Sequence, residues 1–331
     1  MLRLFGPDCT PAPVEAESLD AIPENATWID LLTPSQAEDE LAERAIGLSI
    51  PRRDELLEIE PSSRLYERNG AAFMTMSVLY GISEGHPQSD PIGFILTDRH
   101  LVTVRYVDPK PFILFAENVY AEPDAADNPR NMLVRLLDAI IDRLADEFEI
   151  AGSEIETVSR LIFSHHAHRS PGTAKSRRSP ELRLEALLMR IGKAQQLLAK
   201  LRETSVSATR LLTFLQSIGA IASDEANSRH VNSLIADAQA LNDHSNFLGD
   251  NLTFLLDATL GLISLQQNNV MKIFSVFAVV FMPPTLIAGV YGMNFEHMPE
   301  LDSPIGYPVA LAIILASAII PLFFARRQGW L

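Results

Sequence analysis

The C-terminal part of the chain contains two long apolar runs that carry no charge. They are Ile273–Tyr291 and Tyr307–Ala325, and neither contains Lys, Arg, Asp or Glu. Each run has about 19 residues and would extend about 28 Å as an α-helix, close to the hydrocarbon core of a bilayer at about 30 Å. The sequence therefore predicts a membrane hairpin of two spans rather than two buried helices of a soluble domain.

The charges that flank the runs predict their orientation. Lys272 precedes the first run, and Arg326 and Arg327 follow the second. The loop between the runs has acids but no Lys or Arg; its acids are Glu296, Glu300 and Asp302. The positive-inside rule then puts both termini in the cytoplasm of a multi-pass protein of the plasma (inner) membrane. The first residues lack the apolar core of a signal peptide, so we expect the long N-terminal part to remain cytosolic.

The composition narrows the function classes. The single cysteine, Cys9, excludes an internal disulfide framework, and the net charge of −15 argues against nucleic acid as a partner. An acidic body beside a membrane could attract cations, or its charge could serve solubility alone. The chain has no glycine-rich phosphate loop, no nucleophile with a base at motif spacing and no paired cysteine ligands. We therefore expect neither an enzyme nor a cofactor.

The N-terminal part has the pattern of a mixed α/β domain. A capped helix is predicted from Pro34, and the linker Thr97–Arg99 is short enough for a hairpin, so the sheet is expected to be partly antiparallel. The strand-like runs are 27–31, 72–79, 92–96 and 100–106. The predicted fold class is an α+β cytosolic domain, a mixed sheet with flanking helices, joined by a very long stalk helix to a two-span α-helical membrane domain.

We expect six segments along the chain. They are a cytosolic α/β domain at 1–150, long helices and the stalk at 151–272, the first span at 273–291, an outer loop at 292–306, the second span at 307–325 and a basic tail at 326–331. The stalk and the first span should be one helix. It would start near Asp224 and cover roughly 65 residues, or about 100 Å.

One face of this long helix carries a distinctive pattern, which we call the polar stripe. Alternating steps of four and three residues from Asp257 meet small, polar or sulfur-containing side chains, whereas neighbours such as Leu262 and Phe277 are larger and apolar. The polar stripe comprises Asp257, Gly261, Ser264, Asn268, Met271, Ser275, Ala278, Met282, Thr285 and Gly289. A period of about 3.5 residues keeps one face towards a shared axis in a supercoiled bundle.

The polar stripe has two interpretations. Several copies of the chain around an axis would present it as a weakly polar pore lining. Small residues also mark close helix packing in membranes. The carboxylate of Asp257 and the amide of Asn268 favour the pore, because a packing seam needs neither.

The segment between the apolar runs resembles a known family signature. Gly292-Met293-Asn294, preceded by Tyr291 and followed by Phe295-Glu296-His297-Met298-Pro299, is similar to the signature of the CorA family of divalent-cation channels. The similarity extends over essentially the whole chain. It includes 266–272, 281–288, 306–308 and Trp330-Leu331 near the C-terminus, and 28–31, 62–67 and 102–112 in the N-terminal part.

The resemblance implies a funnel-shaped homopentamer that mediates passive uptake of Mg²⁺, with Co²⁺ and Ni²⁺ as further substrates. It implies that Gly292, Met293 and Asn294 form the outer mouth, with Asn294 as the selectivity ring. The residues that it implies for the conduction path are Asn268, Met271, Met282 and Thr285, with Asp257 as a lower polar ring; Ser275 and Gly289 of the polar stripe join this lining.

The chemistry of Mg²⁺ suits a ring of amides. Mg²⁺ gives up its waters reluctantly, so neutral amide oxygens at Asn294 can accept hydrogen bonds from the hydrated ion without stripping it. The outer acids, Glu296, Glu300 and Asp302, would concentrate cations at the mouth. Met271 and Met282, with Phe274 beside them, would form a constriction that closes by losing its water.

Regulation in the family is attributed to Mg²⁺ held by carboxylates between subunits. Asp237 on the stalk and Asp90 in the α/β domain are candidate ligands, although the stalk position expected from the family lies nearer Ser233. A second candidate metal segment is His165-His166-Ala167-His168. Its surroundings through Arg178 are also typical of a loop between helices, and we favour the loop.

Two other functions fit parts of the sequence. A ZntB-type zinc transporter would share this architecture, although the loop at 295–301 resembles the magnesium branch more. A membrane-anchored coiled-coil scaffold without conduction would need neither the polar stripe nor the Gly-Met-Asn mouth.

Overall fold

The computed structural model describes residues 1–7, 9, 13–16, 19–58, 60–121, 128–167, 180–293 and 305–327. The chain divides into two compact units, Met1–Leu255 and Leu256–Leu331. The first unit contains a β-sheet and its helices. The second contains apolar helical segments.

The first unit is built on a six-stranded mixed sheet. Its strands are β1 Leu2–Phe5, β2 Trp28–Leu32, β3 Leu65–Arg68, β4 Ala71–Tyr80, β5 Gln88–Leu96 and β6 Leu101–Arg105. They lie in the order β1-β2-β6-β5-β4-β3, and β2 pairs with β6 in parallel while the other neighbours are antiparallel. The four predicted strands correspond to β2, β4, β5 and β6, and the hairpin between β5 and β6 is confirmed. The short strands β1 and β3 were not predicted.

Three short helices lie between strands β2 and β3, and the chain after β6 is mainly helical. They are α1 Gln36–Ile46, α2 Arg53–Leu56, α3 Pro61–Arg64, α4 Lys110–Ala121, α5 Pro129–Ala167, α6 Pro180–Ser217, α7 Gly219–Ala222, α8 Glu225–Tyr291 and α9 Gly306–Arg327. A 3₁₀ helix, Ile82–Glu84, lies between β4 and β5. Helix α8 begins in the first unit and ends in the second.

The start of α1 illustrates how a local signal fixes an element. Ser35 is the N-cap, and its hydroxyl accepts from Glu38 N at 3.3 Å while Glu38 Oε2 accepts from Ser35 N at 2.8 Å. This reciprocal capping box satisfies two donors that the helix itself cannot use. The helix ends at Gly47, whose φ of 71° suits a residue without a side chain.

The sheet separates two hydrophobic cores. Ile29, Val102 and Val104 face a core that includes Leu41 of α1 and Leu56 of α2. Trp28, Phe94 and Leu101 belong to a core formed with α4, α5, α6, α7 and the first turns of α8. Because both faces of the sheet are covered, β4 is buried along nearly its whole length and is mostly apolar rather than alternating.

A buried ion pair joins the parallel strands β2 and β6. Arg105, with 0% of its side chain exposed, donates from Nε and Nη2 to the two oxygens of Asp30 at 2.8 and 2.7 Å. Thr103 Oγ1 donates to Asp30 Oδ1 at 2.8 Å and accepts from Trp28 Nε1 at 2.9 Å. Burial alone would lower the pKa of Arg105, but the hydrogen bonds and charges of Asp30 and Asp108 outweigh it and raise that pKa. The polar residues of these apolar strands therefore form one connected network.

The long helix and the apolar helices agree with the sequence prediction. Helix α8 has 67 residues, starts one residue after the predicted Asp224 and ends at Tyr291, the predicted end of the first span. Helix α9 contains the whole second run. Both helices are long and apolar enough to cross a membrane, with mean hydropathy of 2.1 and 2.5 in their most apolar windows. Helix α5 passes through position 150, where the sequence had predicted a domain boundary.

Candidate ion pathway

Every residue of the polar stripe is exposed in the single chain. All ten residues from Asp257 to Gly289 lie on α8 within the second unit and are exposed. At about 100° per residue they fall within a sector of roughly 120° around the helix. The helix therefore presents them as one continuous face.

The opposite face of α8 packs against α9. Val276 is buried, and Val280, Pro283, Pro284 and Ile287 are half-buried. These five positions centre roughly 180° from the span part of the polar stripe. A cavity of about 250 Å³ is lined by residues of both helices, namely Val276, Val279, Val280, Ile320, Pro321, Phe324 and Ala325. The second apolar helix therefore covers the side of α8 that faces away from the polar stripe.

Two hydroxyl groups in the stripe are tied to the helix backbone. Ser275 Oγ donates to Met271 O at 2.8 Å, and Thr285 Oγ1 donates to Phe281 O at 2.7 Å. Because each hydroxyl proton is used within the helix, the oxygen lone pairs remain to accept hydrogen bonds from outside. Waters around a cation point their hydrogens outward, so this surface can contact a hydrated ion.

The polar stripe contains two methionines whose apolar side chains are highly exposed. Met271 is 62% exposed and Met282 is 68% exposed, and eleven residues of helix, about 16 Å, separate them. Phe274, 66% exposed, lies on the flank of the stripe between them. These residues have the exposure that an apolar constriction between chains requires.

The predicted mouth is only partly within the described residues. Gly292 N donates to Ala288 O at 2.9 Å and Met293 N donates to Val290 O at 3.3 Å, so α8 closes with two backbone hydrogen bonds after Tyr291. Gly292 and Met293 are exposed. Asn294 and the outer acids Glu296, Glu300 and Asp302 lie outside the described residues.

The two candidate regulatory acids lie in different surroundings. Asp237 is exposed on α8, whereas Asp90 of β5 is half-buried and its Oδ2 has no hydrogen-bond partner among the described residues. Burial raises the pKa of Asp90, and the charge of Arg53 opposes this rise. Within the described ranges, no group of three or more His, Cys, Asp or Glu side chains is arranged to hold a metal ion.

Sequence reasoning missed an acidic face beside Asp237. Burial, followed by the like charges of Asp138, Asp146 and Asp237, raises the pKa of Asp142 on α5, and His230 opposes the rise. His230 Nε2 lies 3.3 Å from Asp138 Oδ2. The spacing of the three α5 acids, four residues apart, was the available signal, because residues i and i+4 share a helix face.

The histidine segment is described only at its start. His165 and His166 belong to the last turn of α5, which ends at Ala167. His168 and the residues through Arg178 lie outside the described residues. The preference for a loop over a metal site therefore stays a prediction.

Comparison with known proteins decides the family. A family model described as CorA-like Mg²⁺ transporter protein matches residues 23–327. The chain belongs to this family. The magnesium transport protein CorA of Yersinia pseudotuberculosis serotype I (strain IP32953) is 30% identical over 307 residues, which cover 93% of this chain and 92% of the relative. The resemblance seen in the sequence is thus confirmed, and the family is one of transporters rather than enzymes.

Solved structures confirm the fold class. The complete structure of the CorA magnesium transporter from Methanocaldococcus jannaschii has a TM-score of 0.77 at 18% identity, covering 100% of this chain and 98% of that chain. The ZntB cytoplasmic domain from Vibrio parahaemolyticus RIMD 2210633 is more distant, with a TM-score of 0.51 at 11% identity over 72% of this chain and 87% of that chain. At these identities the likeness concerns the fold alone.

Proposed function

We propose that this CorA-family protein is a membrane channel for the passive uptake of hydrated Mg²⁺, with Co²⁺ and Ni²⁺ as further substrates. Five copies assemble around an axis, and α8 of each copy turns its polar stripe towards that axis. Helix α9 forms the outer ring. The observation that carries the proposal is the exposure of the whole polar stripe on the side of α8 that faces away from α9.

The lining chemistry supports passage of an ion that keeps its water. Mg²⁺ loses its hydration shell reluctantly, and direct carboxylate ligands would hold it too long for conduction. Within the apolar run, the stripe offers hydroxyl oxygens at Ser275 and Thr285. None of the stripe residues from Ser275 to Gly289 is charged. The amide of Asn294 then selects at the mouth by accepting hydrogen bonds from the ion's waters.

The membrane potential supplies the driving force. We place both termini in the cytoplasm of the plasma membrane, because Lys272, Arg326 and Arg327 flank the apolar helices and the connecting loop is acidic. A divalent cation that moves inward across 100 mV releases about 4.6 kcal/mol of electrostatic free energy. No other energy source is needed for uptake.

Intracellular Mg²⁺ closes the channel in this proposal. Asp237 of one subunit and Asp90 of a neighbouring subunit then hold the ion between them. The acidic face of Asp138, Asp142 and Asp146 beside Asp237 adds charge that a divalent cation would neutralise.

Ion uptake into proteoliposomes tests the proposal. Purified protein is reconstituted, and uptake of Mg²⁺, Co²⁺, Ni²⁺ and Zn²⁺ is compared for wild type and Asn294→Ala. Loss of hydrogen bonds to a charged hydrated ion costs about 1.5–3 kcal/mol, so we expect Mg²⁺ uptake to fall about tenfold or more in Asn294→Ala. The matched control is Asn269→Ala, the same change on the side of α8 away from the polar stripe, which should retain uptake.

The other outcomes of this experiment are also decisive. Uptake dominated by Zn²⁺ would assign the protein to the zinc branch. No uptake of any ion would support the scaffold instead, and equal loss in Asn294→Ala and Asn269→Ala would contradict the role of Asn294.

A further inference from the structure

The first unit contains a large cavity that ion conduction does not use. It has a volume of about 800 Å³ and lies among α3, β3, β4, α6 and α8. All of its lining residues belong to the first unit. Three of them are arginines, Arg64 of α3 and Arg202 and Arg210 of α6. Three guanidinium groups at one cavity are notable in a chain with a net charge of −15.

Two of these arginines have no charge partner in the described part of the chain. The side chains of Arg202 and Arg210 are exposed and make no hydrogen bond or ion pair with any residue that the structure describes. Burial lowers the pKa of Arg64; the charge of Glu203 opposes this, and the like charge of Arg210 lowers the pKa further. The cavity therefore holds guanidinium groups close enough to repel one another.

The acids of the cavity do not cancel this charge. Glu203 accepts from Lys200 Nζ and from Ser89 Oγ, both at 2.9 Å, so a lysine already matches its charge. Asp250 is the other carboxylate in the lining. Three guanidinium groups thus face one further acid, and the cavity keeps an excess of positive charge.

The lining of the cavity also offers hydroxyl groups. Ser245 of α8 is 2% exposed, and its Oγ has no hydrogen-bond partner among the described residues. Ser207 Oγ accepts from Ser77 N at 3.0 Å and keeps its own hydrogen to donate. A buried hydroxyl without a hydrogen-bond partner destabilises the folded protein. A ligand that accepts a hydrogen bond from Ser245 would remove this cost and bind more tightly for it. Leu65, Leu198 and Val206 add apolar surface to the same cavity.

These features define the chemistry of an occupant. Guanidinium groups match phosphate oxygens in pairs of parallel hydrogen bonds. Arg202 and Arg210 are eight residues apart on α6, about 12 Å along the helix, a separation that favours a chain of phosphates over a single one. We propose that this cavity binds an anion with two or more linked phosphates, of the nucleoside di- and triphosphate class. The apolar residues would contact the base, and the volume is within the range of small-molecule sites, about 300–1,000 Å³.

Linked phosphates are also ligands of Mg²⁺. A nucleotide bound in this cavity would therefore place a ligand for Mg²⁺, the ion that we propose is transported, in the first unit. The binding itself does not depend on the proposed conduction, so each proposal can fail without the other.

Isothermal titration calorimetry of the purified full-length protein tests the site. The titrants are ATP, ADP, pyrophosphate and orthophosphate, in buffer without Mg²⁺. We expect wild type to bind ATP and pyrophosphate, with orthophosphate at least about tenfold weaker. Arg202→Gln with Arg210→Gln removes two charge-assisted hydrogen-bond donors, so this double variant should weaken ATP binding by about 100-fold or more.

Two further variants control the test. Arg229→Gln removes an exposed arginine of α8 outside the cavity lining and should bind ATP as wild type does. Arg210→Lys keeps the charge but loses the planar fork, so it should bind ATP with intermediate affinity. This milder variant decides the question if the double variant does not fold, as judged by circular dichroism.

Three results would overturn the proposal. In the first, wild type releases no heat with any titrant. In the second, ATP binds wild type and the cavity variants equally well. In the third, the variants dissociate the oligomer while wild type binds no nucleotide, and the cavity is then a contact between copies of the chain.

Discussion

At the scale of single residues, polar groups inside apolar strands have the clearest structural roles. Asp30 and Arg105 interrupt apolar strands, and the resemblance to the CorA family includes both positions. The structure pairs them through two hydrogen bonds in the interior. The sequence analysis gave neither residue a role, because their pairing depends on the parallel contact of β2 with β6, which no local pattern predicts.

The buried pair leads to a stability prediction. Asp30→Asn leaves the buried charge of Arg105 with the partly exposed Asp108 as its remaining carboxylate partner. Breaking a buried pair typically costs about 3–5 kcal/mol, so we expect a cost near the lower end of that range. We expect a correspondingly lower unfolding midpoint in urea, followed by tryptophan fluorescence because Trp28 is hydrogen-bonded within this network. Asp98→Asn is the control: its ion pair with Arg130 is exposed, so the cost should stay below about 1 kcal/mol. Equal effects of the two variants would contradict the role of the buried pair.

The acidic face of α5 leads to a prediction about pH. Burial and the charges of Asp138, Asp146 and Asp237 raise the pKa of Asp142, so the folded state holds its proton more tightly than the unfolded state does. The ionised carboxylate therefore destabilises the fold above the raised pKa. This penalty disappears as the pH falls below the ordinary aspartate value of about 3.9.

Asp142→Asn should accordingly raise the melting temperature at neutral pH and leave it unchanged in acid. The gain should be small, below about 1 kcal/mol, because Asp142 is only partly shielded from water and solvent weakens the repulsion. Melting temperatures measured across the pH range check this, with Asp243→Asn on the exposed side of α8 as the control. A gain that persists in acid would show that repulsion between carboxylates is not its cause.

At the scale of elements, helix α8 was the most predictable part of the molecule. The absence of charge from Ile273 to Tyr291 and the helix-start signal at Asp224 defined its two ends. The capping box at Ser35 likewise located α1. Strands β1 and β3 escaped prediction because each has only four residues and lies at an edge of the sheet.

The cavity with three arginines could not be predicted at this scale. Arg64 and Arg202 are far apart in the sequence, and only the packing of α3, β4 and α6 brings them to one site. Periodicity did predict the polar stripe, but it left two interpretations open. The packing of α9 on the other side of α8 leaves the stripe free for a pore or for contact between copies of the chain, so the pore lining stays a prediction.

The methionines of α8 lead to a prediction about gating. If Met282 closes the pore by excluding water, a carboxylate at that position keeps the constriction wet. Met282→Asp should therefore raise the resting leak of Mg²⁺ from loaded proteoliposomes, whereas Met282→Leu, which stays apolar, should not. An unchanged leak in Met282→Asp would argue against a gate at this position.

At the scale of the whole molecule, one chain cannot form the pathway. The polar stripe is exposed along its entire length because a single α8 encloses nothing. The proposed pathway therefore requires that copies of the chain meet along this face. Phe277, also exposed, lies on α8 away from the polar stripe and would contact lipid or a neighbouring helix instead.

Labelling of introduced cysteines tests this arrangement most directly. Cys9 is the only cysteine of the chain, so Cys9→Ala gives a background for the single-cysteine variants Ser275→Cys and Phe277→Cys. Mg²⁺ uptake into proteoliposomes is measured before and after treatment with a positively charged thiol reagent that does not cross the bilayer. If the polar stripe lines the ion pathway, the reagent blocks uptake by Ser275→Cys and leaves uptake by Phe277→Cys and by the background unchanged. Block of Phe277→Cys but not of Ser275→Cys would contradict the account, because a different face of α8 would then line the pathway.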